Sequence, residues 1–295
     1  MKDLYTLVGI SKQGLWKHQR RLEGQANTSS QMVSKMIEIR KRHKRMGCRS
    51  MYYAIQDEIP VGRDAFEEIG FANGFKLKTK RNKVKTTWSQ RVEVFPNLIE
   101  GLTVTGINQV WQSDIFYQTV ENETFYGVTI EDVYSRKLLA LHMSQSLGAK
   151  ENVKALKKAF KARAGHHIGG CILHSDKGSQ YISEVHKELL KSKGMKASMC
   201  KMPQENAYVE RIQGTIKNLY LSEFELTKEN VGRIAFNVVK WYNEEKPHGN
   251  LQMRTPAAFE KYVENLARSK RPKEVIFNGY SELSTKQEFL TKRKK

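Results

Sequence analysis

The stretch that decides the fold runs from Asn108 to Ser144: NQVWQSDIFYQTV (108–120), ETFYGVTIEDVY (123–134) and RKLLALHMS (136–144). Each run is short and rich in β-branched and aromatic residues, and a Ser-Arg turn separates the last two, so three strands are predicted. Downstream, ENVKALKKAFKARAG (151–165) reads as an amphipathic helix and GCILHSD (170–176) as a buried strand with a polar end. SEVHKELLKSKG (183–194) reads as a helix and KASMC (196–200) as a strand. ENAYVERIQGTIKNLYL (205–221) and KENVGRIAFNVVKWYNEEKP (228–247) read as helices, the second ended by Pro247. Three strands followed by alternating helix and strand predict an α/β fold, a mixed sheet with helices on its faces.

Upstream of this stretch the texture is helical and basic. LYTLVGISKQGLWKHQRRL (4–22) reads as a helix, a Gly-containing turn and a basic helix capped by Ser11, the order of a helix-turn-helix. A second basic helix is expected over SSQMVSKMIEIRKRHKRMGCRSMYYAIQ (29–56), with Met32, Met36 and Ile39 at helical spacing. Tyr52 and Tyr53 are expected to pack on FEEIGFANGF (66–75), and KLKTKRNKVKTTWSQR (76–91) reads as a basic linker suited to phosphates. These textures divide the chain into a helical DNA-binding region (1–92), an α/β core (93–262) and a basic tail (263–295).

Charge points to the partner. The chain has 51 Lys and Arg against 31 Asp and Glu, a net +20 with a pI near 9.7. Residues 1–91 carry 20 Lys and Arg against 8 Asp and Glu, a surplus of 12. Such a surplus calls for a polyanion, nucleic acid or an anionic membrane. No run approaches the roughly 18 apolar residues of a membrane span. The N-terminus lacks the pattern of a signal peptide. Nucleic acid is therefore the expected partner. Cys48, Cys171 and Cys200, odd in number and widely spaced, suit a reducing cytoplasm and no disulfide framework.

Three acids stand where chemistry could use them. Asp114 lies within the first strand run, flanked by Trp111 and Tyr117, and Asp176 follows the strand CILHS. Glu210 sits in a helix with Gly214 and Lys217 on nearly the same face. Any one alone is more readily a capping or solvated acid. Together they are the set that a two-metal site needs, with hard oxygen donors that select Mg²⁺ or Mn²⁺, and Lys217 could pair a DNA phosphate beside them. On the basic helices, Lys12, Lys17, Arg20, Arg21, Arg40, Lys41 and Arg42 are the candidate DNA contacts.

WQSD-I-F-Y (111–117), HSDKGSQYIS (174–183), ENAYVERIQGTIK (205–217), WYNEEKPHGNL (241–251) and Thr255-Pro256 together resemble insertion-sequence transposases with an integrase-like core. The likeness is to the branch encoded by two overlapping frames, and to the product of the second. It implies an RNase H-like fold, a catalytic triad of Asp114, Asp176 and Glu210, and a contact between Lys217 and the element's terminal DNA. It further implies nicking at one element end and joining of the 3′-hydroxyl beside the other, transposon-end and target DNA as partners, a multimer on DNA, and cooperation or fusion with a small upstream product.

One departure is visible. The 33 residues between Asp176 and Glu210 fall slightly short of the family's spacing, and the shortening lies in SMCKMPQENA (198–207), where a loop absorbs it. Glu205 is the rival third carboxylate, but Glu210 keeps its place relative to Asn206, Ala207 and Lys217.

Other signals read as structural. His166, His167, Cys171 and His174 suggest zinc only superficially, because a closed tetrahedral site would break the strand through Cys171 and His174. Glu131 and Asp132 are expected to support the turn after them, and His248 to sit at a helix end. Three rival functions remain: an inactive transposase-derived regulator that binds DNA, a nuclease that never joins strands, and a retroviral-type integrase. The last two are disfavoured by the basic helical N-terminal third and by the missing zinc module.

Overall fold

The computed structural model describes residues 11–77, 95–120, 123–201 and 203–276, and the chain divides into two compact units, Met1–Arg81 and Asn82–Lys295.

The first unit is helical. Helix α1 (Lys12–Arg42) begins where the sequence predicts, with the Ser11 hydroxyl oxygen accepting from the Gly14 amide at 3.0 Å. The preceding helix of the expected helix-turn-helix falls on residues 1–10, outside the described residues. The two basic helices read from the sequence are one continuous helix of 31 residues. The reason lies in its polar middle: Thr28 and Ser34 donate back to the carbonyls of Gly24 and Ser30, so these hydroxyls do not cap a new helix. The break comes at His43–Gly47, ahead of α2 (Cys48–Ile55) and α3 (Arg63–Ala72).

Met32, Met36 and Ile39 face these two helices and are buried with Met51 and Phe66. Tyr52 meets Phe66 edge-on, ring centroids 5.9 Å apart. A glycine is needed at Gly70, where a Cβ would stand 2.8 Å from the Cys48 sulfur and 3.1 Å from Met36. By contrast Lys12–Asn27 is almost wholly exposed.

The second unit holds a five-stranded sheet with Lys137–Ser144 at one edge and Lys196–Met199 at the other. Strands β2 (Val110–Val120), β3 (Glu123–Asp132) and β4 (Lys137–Ser144) form an antiparallel meander. Strands β5 (Ile172–Ser175) and β6 (Lys196–Met199) add parallel to β2 through two helical crossovers, α4 (Ala149–Ala162) and α5 (Glu184–Ser192). These are the three strands and the alternation expected from the sequence. One core joins Trp111, Val128, Ile130 and Leu139 of the sheet to Ala155, Leu156 and Ala159 of α4 and Leu190 of α5.

Helices α6 (Ala207–Thr215) and α7 (Val231–Glu244) pack on the sheet as well. Asn243 of α7 exchanges two hydrogen bonds with the Leu138 backbone, 2.9 and 2.8 Å, which explains the Asn of WYNEEKPHGNL. Thr255-Pro256 opens α8 (Pro256–Glu264): the Thr hydroxyl oxygen accepts from Ala258 at 3.2 Å, and Pro occupies the first turn, where no amide hydrogen is required. Mixed sheet, helical faces and order of elements make this unit RNase H-like. Residues 263–276, read from the sequence as the start of a basic tail, belong to it: Glu274–Val275 (β7) pairs with Thr103–Val104 (β1), and Val263 and Ile276 are buried in a second core with Phe259. The rest of that stretch, from residue 277 on, lies outside the described residues.

Candidate active site

Asp114 and Asp176 are brought to the same level by strand register. Parallel pairing of β2 with β5 ends at Ser113 opposite Ser175; Asp114 is the next residue along β2, and Asp176 is the first residue past the end of β5. Both side chains are partly exposed where β5 ends beside β2, and the carboxyl end of a strand is the usual place for chemistry in open α/β sheets. Asp114 accepts from the Ile115 amide at 2.8 Å, and Asp176 from the Gly178 amide at 3.1 Å. Gly178 matters for the second: a Cβ there would stand 3.0 Å from the Asp176 carboxylate. Beneath them the buried Tyr181 hydroxyl meets that of Ser113 at 3.0 Å, tying the KGSQY loop to β2.

Glu210 arrives from α6, whose start is fastened to the strand that carries Asp114. The Gln112 side chain is wholly buried. Its amide nitrogen donates to the Glu205 carbonyl at 2.9 Å, and its oxygen accepts from the Val209 amide at 3.2 Å. Asn206 donates to the Ser113 carbonyl at 3.5 Å. On the next turn Gln213 donates to the Thr129 hydroxyl at 3.2 Å, which itself donates to the Asp114 carbonyl. Glu210 is exposed. Glu205, the rival, is buried and accepts from the Lys201 amide at 2.6 Å.

The electrostatics record the crowding. Burial, then the charge of Asp176 and more weakly that of Glu210, push the Asp114 carboxyl up to about 7. Burial also raises Asp176, against the Gly178 hydrogen bond. Lys217 lies in a π-helical turn (Ile216–Tyr220) that continues α6, its ammonium 5.0 Å from the Phe116 ring centroid and 5.6 Å from that of Tyr117. Burial lowers its pKa while Asp114 draws it back up. Hard carboxylate oxygens that repel one another suit Mg²⁺ or Mn²⁺. Among the described residues no three His, Cys, Asp or Glu side chains are gathered closely enough to hold an ion as they stand.

Lys12, Lys17, Arg20 and Arg21 lie on the exposed half of α1, and Arg20 covers the Trp16 ring at 5.1 Å. Arg40 is half-buried, donating to the carbonyls of Lys44 and Phe75 at 2.8 and 2.9 Å, so its guanidinium holds the unit together. Lys41 and Arg42 share Glu38 at 2.7 and 3.7 Å. Asp132 is structural, accepting from the amides of Asn108, Tyr134 and Ser135 and pairing with the buried Arg163. His174 bonds the Ser198 hydroxyl at 2.9 Å, and burial lowers its pKa to about 4. His248 meets the Tyr242 ring at 4.7 Å. The roles of Gln112, Phe116 and Gly127 escape sequence reasoning, although Gln112 and Phe116 share the strand face of Asp114 by period-two spacing.

Comparison with known proteins agrees with this architecture. Two models described as "Integrase core domain" match residues 105–203 and 194–256. The simian T-cell lymphotropic virus intasome, solved with a regulatory subunit of PP2A, shares the fold at a TM-score of 0.50 and 14% identity, over 76% of this chain and 71% of that one. The protein class is thus one with an integrase-type core on an RNase H-like sheet. Within it, the transposase of insertion sequence element IS904 from Lactococcus lactis is 31% identical over 199 residues, 65% of this chain and 76% of that protein. The uncharacterized 31 kDa protein of insertion element IS600 from Shigella sonnei is 28% identical over 87% of this chain and 97% of its own length. The chain belongs to the insertion-sequence transposases, a family of DNA transposition.

Proposed function

We propose that the chain is a divalent-metal-dependent DNA strand-transferase whose catalytic carboxylates are Asp114, Asp176 and Glu210. The observation that carries this reading is the register of β2 and β5, which sets two aspartates side by side where the helix of Glu210 is fastened. The three carboxylates would hold Mg²⁺ or Mn²⁺, two ions in the full site, which supply positive charge and a more acidic water or hydroxyl at the scissile phosphate. The proposed chemistry is hydrolytic nicking of one strand at an element end, which frees a 3′-hydroxyl, then attack of that hydroxyl on a second phosphodiester, whose own 3′-oxygen leaves as a hydroxyl.

The chain's own residues divide the remaining work. Lys217, half-desolvated beside Asp114, binds a phosphate of the terminal DNA. Gln112 and Asn206 keep Glu210 in register with Asp114. Lys12, Lys17, Arg20 and Arg21 contact end DNA through α1, with Lys41 and Arg42 as further contacts to phosphate, in an end-recognition region over residues 1–92. Synapsis of two ends requires a multimer, which a small upstream product assists.

The test is a plasmid carrying the gene with its native flanks and any upstream frame, amplified outward for joined ends. Wild type gives the junction; Asp114→Asn and Glu210→Gln give none while the folded proteins still retain end DNA. Equal loss of binding and chemistry in folded Asp114→Asn defeats the assignment. No junction in any sample, with bound DNA, favours the inactive regulator.

A further inference from the structure

Past Ser113, β2 has no strand neighbour on its β5 side among the described residues, because β5 ends at Ser175. The edge so opened begins at Asp114 and runs to Tyr117, which is 61% exposed. The neighbouring Phe116 is buried, lying over Gly127 of β3, where a Cβ would stand 2.3 Å from its ring. The Lys217 ammonium is close to both rings, 5.0 Å from Phe116 and 5.6 Å from Tyr117. The result is a built arrangement: one ring seated on glycine, a cation held against it, and a second ring with much of its surface free. In an extended strand Tyr117 is about 10 Å from Asp114, a reach of about one or two nucleotides.

We propose that Tyr117 is a stacking platform for a nucleobase of the DNA strand whose phosphate lies at Lys217, next to the bond that is cut. The assignment rests on the strand-transferase reading and adds to it a subsite for an unpaired base. A cation for the phosphate and an aromatic face for the base are the two elements by which proteins hold single strands without reading sequence. A hydrophobic core role does not fit a ring with this exposure, and support of Lys217 alone would need only the seated Phe116.

The probe is a nicked duplex of the element's own terminal sequence, bound to the full chain. In one arm 5-iodouracil replaces each base flanking the cleavage point in turn; irradiation without divalent ions reads stacking with no chemistry. A crosslink mapped to Tyr117 from one position is expected, and no crosslink there from any position overturns the proposal. In the second arm an abasic residue is placed at the same positions and cleavage is followed with Mg²⁺. Wild type is expected to lose about ten-fold at the stacked position. Tyr117→Ala should lose as much on intact DNA and be indifferent to the abasic residue, while Tyr117→Phe and Tyr117→Trp keep wild-type behaviour. Additive losses from Tyr117→Ala and the abasic residue, or undiminished cleavage by Tyr117→Ala, overturn the platform. Wild type that crosslinks through Tyr117 but never cuts defeats the strand-transferase reading and leaves the platform standing.

Discussion

Replacing Gln112 by Met tests how the site is assembled. The change nearly conserves volume and shape, so little packing is lost. It removes two buried hydrogen bonds, to the Glu205 carbonyl at 2.9 Å and from the Val209 amide at 3.2 Å. Their net worth is about 1 kcal/mol each, but a buried backbone group left without a partner costs about 1–3 kcal/mol. Partial rescue by α6 lifting into water lowers the sum, giving about 2–4 kcal/mol, all of it acting on the junction between Glu205 and Val209. Because α6 meets β2 and β3 through few other polar ties, this loss falls on local opening before it falls on global unfolding.

Hydrogen exchange of the peptide spanning residues 205–215 is the direct assay. A loss of 2 kcal/mol in local opening speeds exchange by about 30-fold, while peptides from α4 and β4 stay near wild type. Cleavage should fall with retention of end DNA largely unchanged, because Glu210 rides on the loosened turn and α1 does not. Unchanged exchange at 205–215, or equal acceleration across the whole sheet, refutes the fastening role of Gln112.

Three further predictions bear on the same unit. Glu131 is 1% exposed, and burial raises its carboxyl to about 8 despite Arg136, so it holds its proton when folded and loses it near its ordinary value when unfolded; its presence therefore weakens the fold as pH climbs from about 4.5 to 8, and Glu131→Gln should raise stability at pH 8 by no more than about 4 kcal/mol, with no gain at pH 4, in denaturant titrations at both pH values. Gly127→Ala would drive a methyl to within 2.3 Å of the Phe116 ring and should cost about 1–3 kcal/mol, read as a lower Tm that Phe116→Leu partly restores. Arg163→Met strips the counter-charge from Asp132 at 3.1 Å and Glu260 at 2.5 Å and should cost about 3–5 kcal/mol, seen as unfolding or insolubility at temperatures wild type tolerates.

What could be read from the sequence followed from local chemistry. The meander of β2, β3 and β4 is written in β-branched and aromatic runs, and Asp114 stands out as an acid inside such a run, Asp176 as one directly after a buried strand. The Ser11 cap was equally local. The long α1 was not, since the polar stretch from Asn27 to Ser30 looks like a helix start until the back-bonds of Thr28 and Ser34 are known. Arg40 shows the same limit: its charge suggests DNA, whereas its bond to Phe75 joins residues 35 apart in the chain. Gln112 depends on partners 93 and 97 residues away, and no local pattern carries that. The β1–β7 pairing is longer in range still, and two-residue strands leave no periodicity to detect.

Two groups of acids in this fold carry the same charge and meet opposite fates, and the contrast separates scaffold from chemistry. Asp132 ends β3 opposite Trp111, and Glu260 comes from α8; between them the buried Arg163 guanidinium bonds both, with Lys137 completing Glu260 at 2.6 Å. Every carboxylate there has a cation, so the cluster gains nothing from a ligand and serves to tie α8 and α4 to the sheet. Three residues along β2 from Trp111, Asp114 faces Asp176 and Glu210 instead. Lys217 responds to the charge of Asp114 but is itself partly desolvated and lies against the rings of Phe116 and Tyr117. The charges of Asp176 and Glu210 both push the Asp114 carboxyl up, and this repulsion raises the free energy of the unliganded site. Binding of divalent cations would relieve that repulsion, which is why this cluster, and not the better-paired one, is the place to look for chemistry.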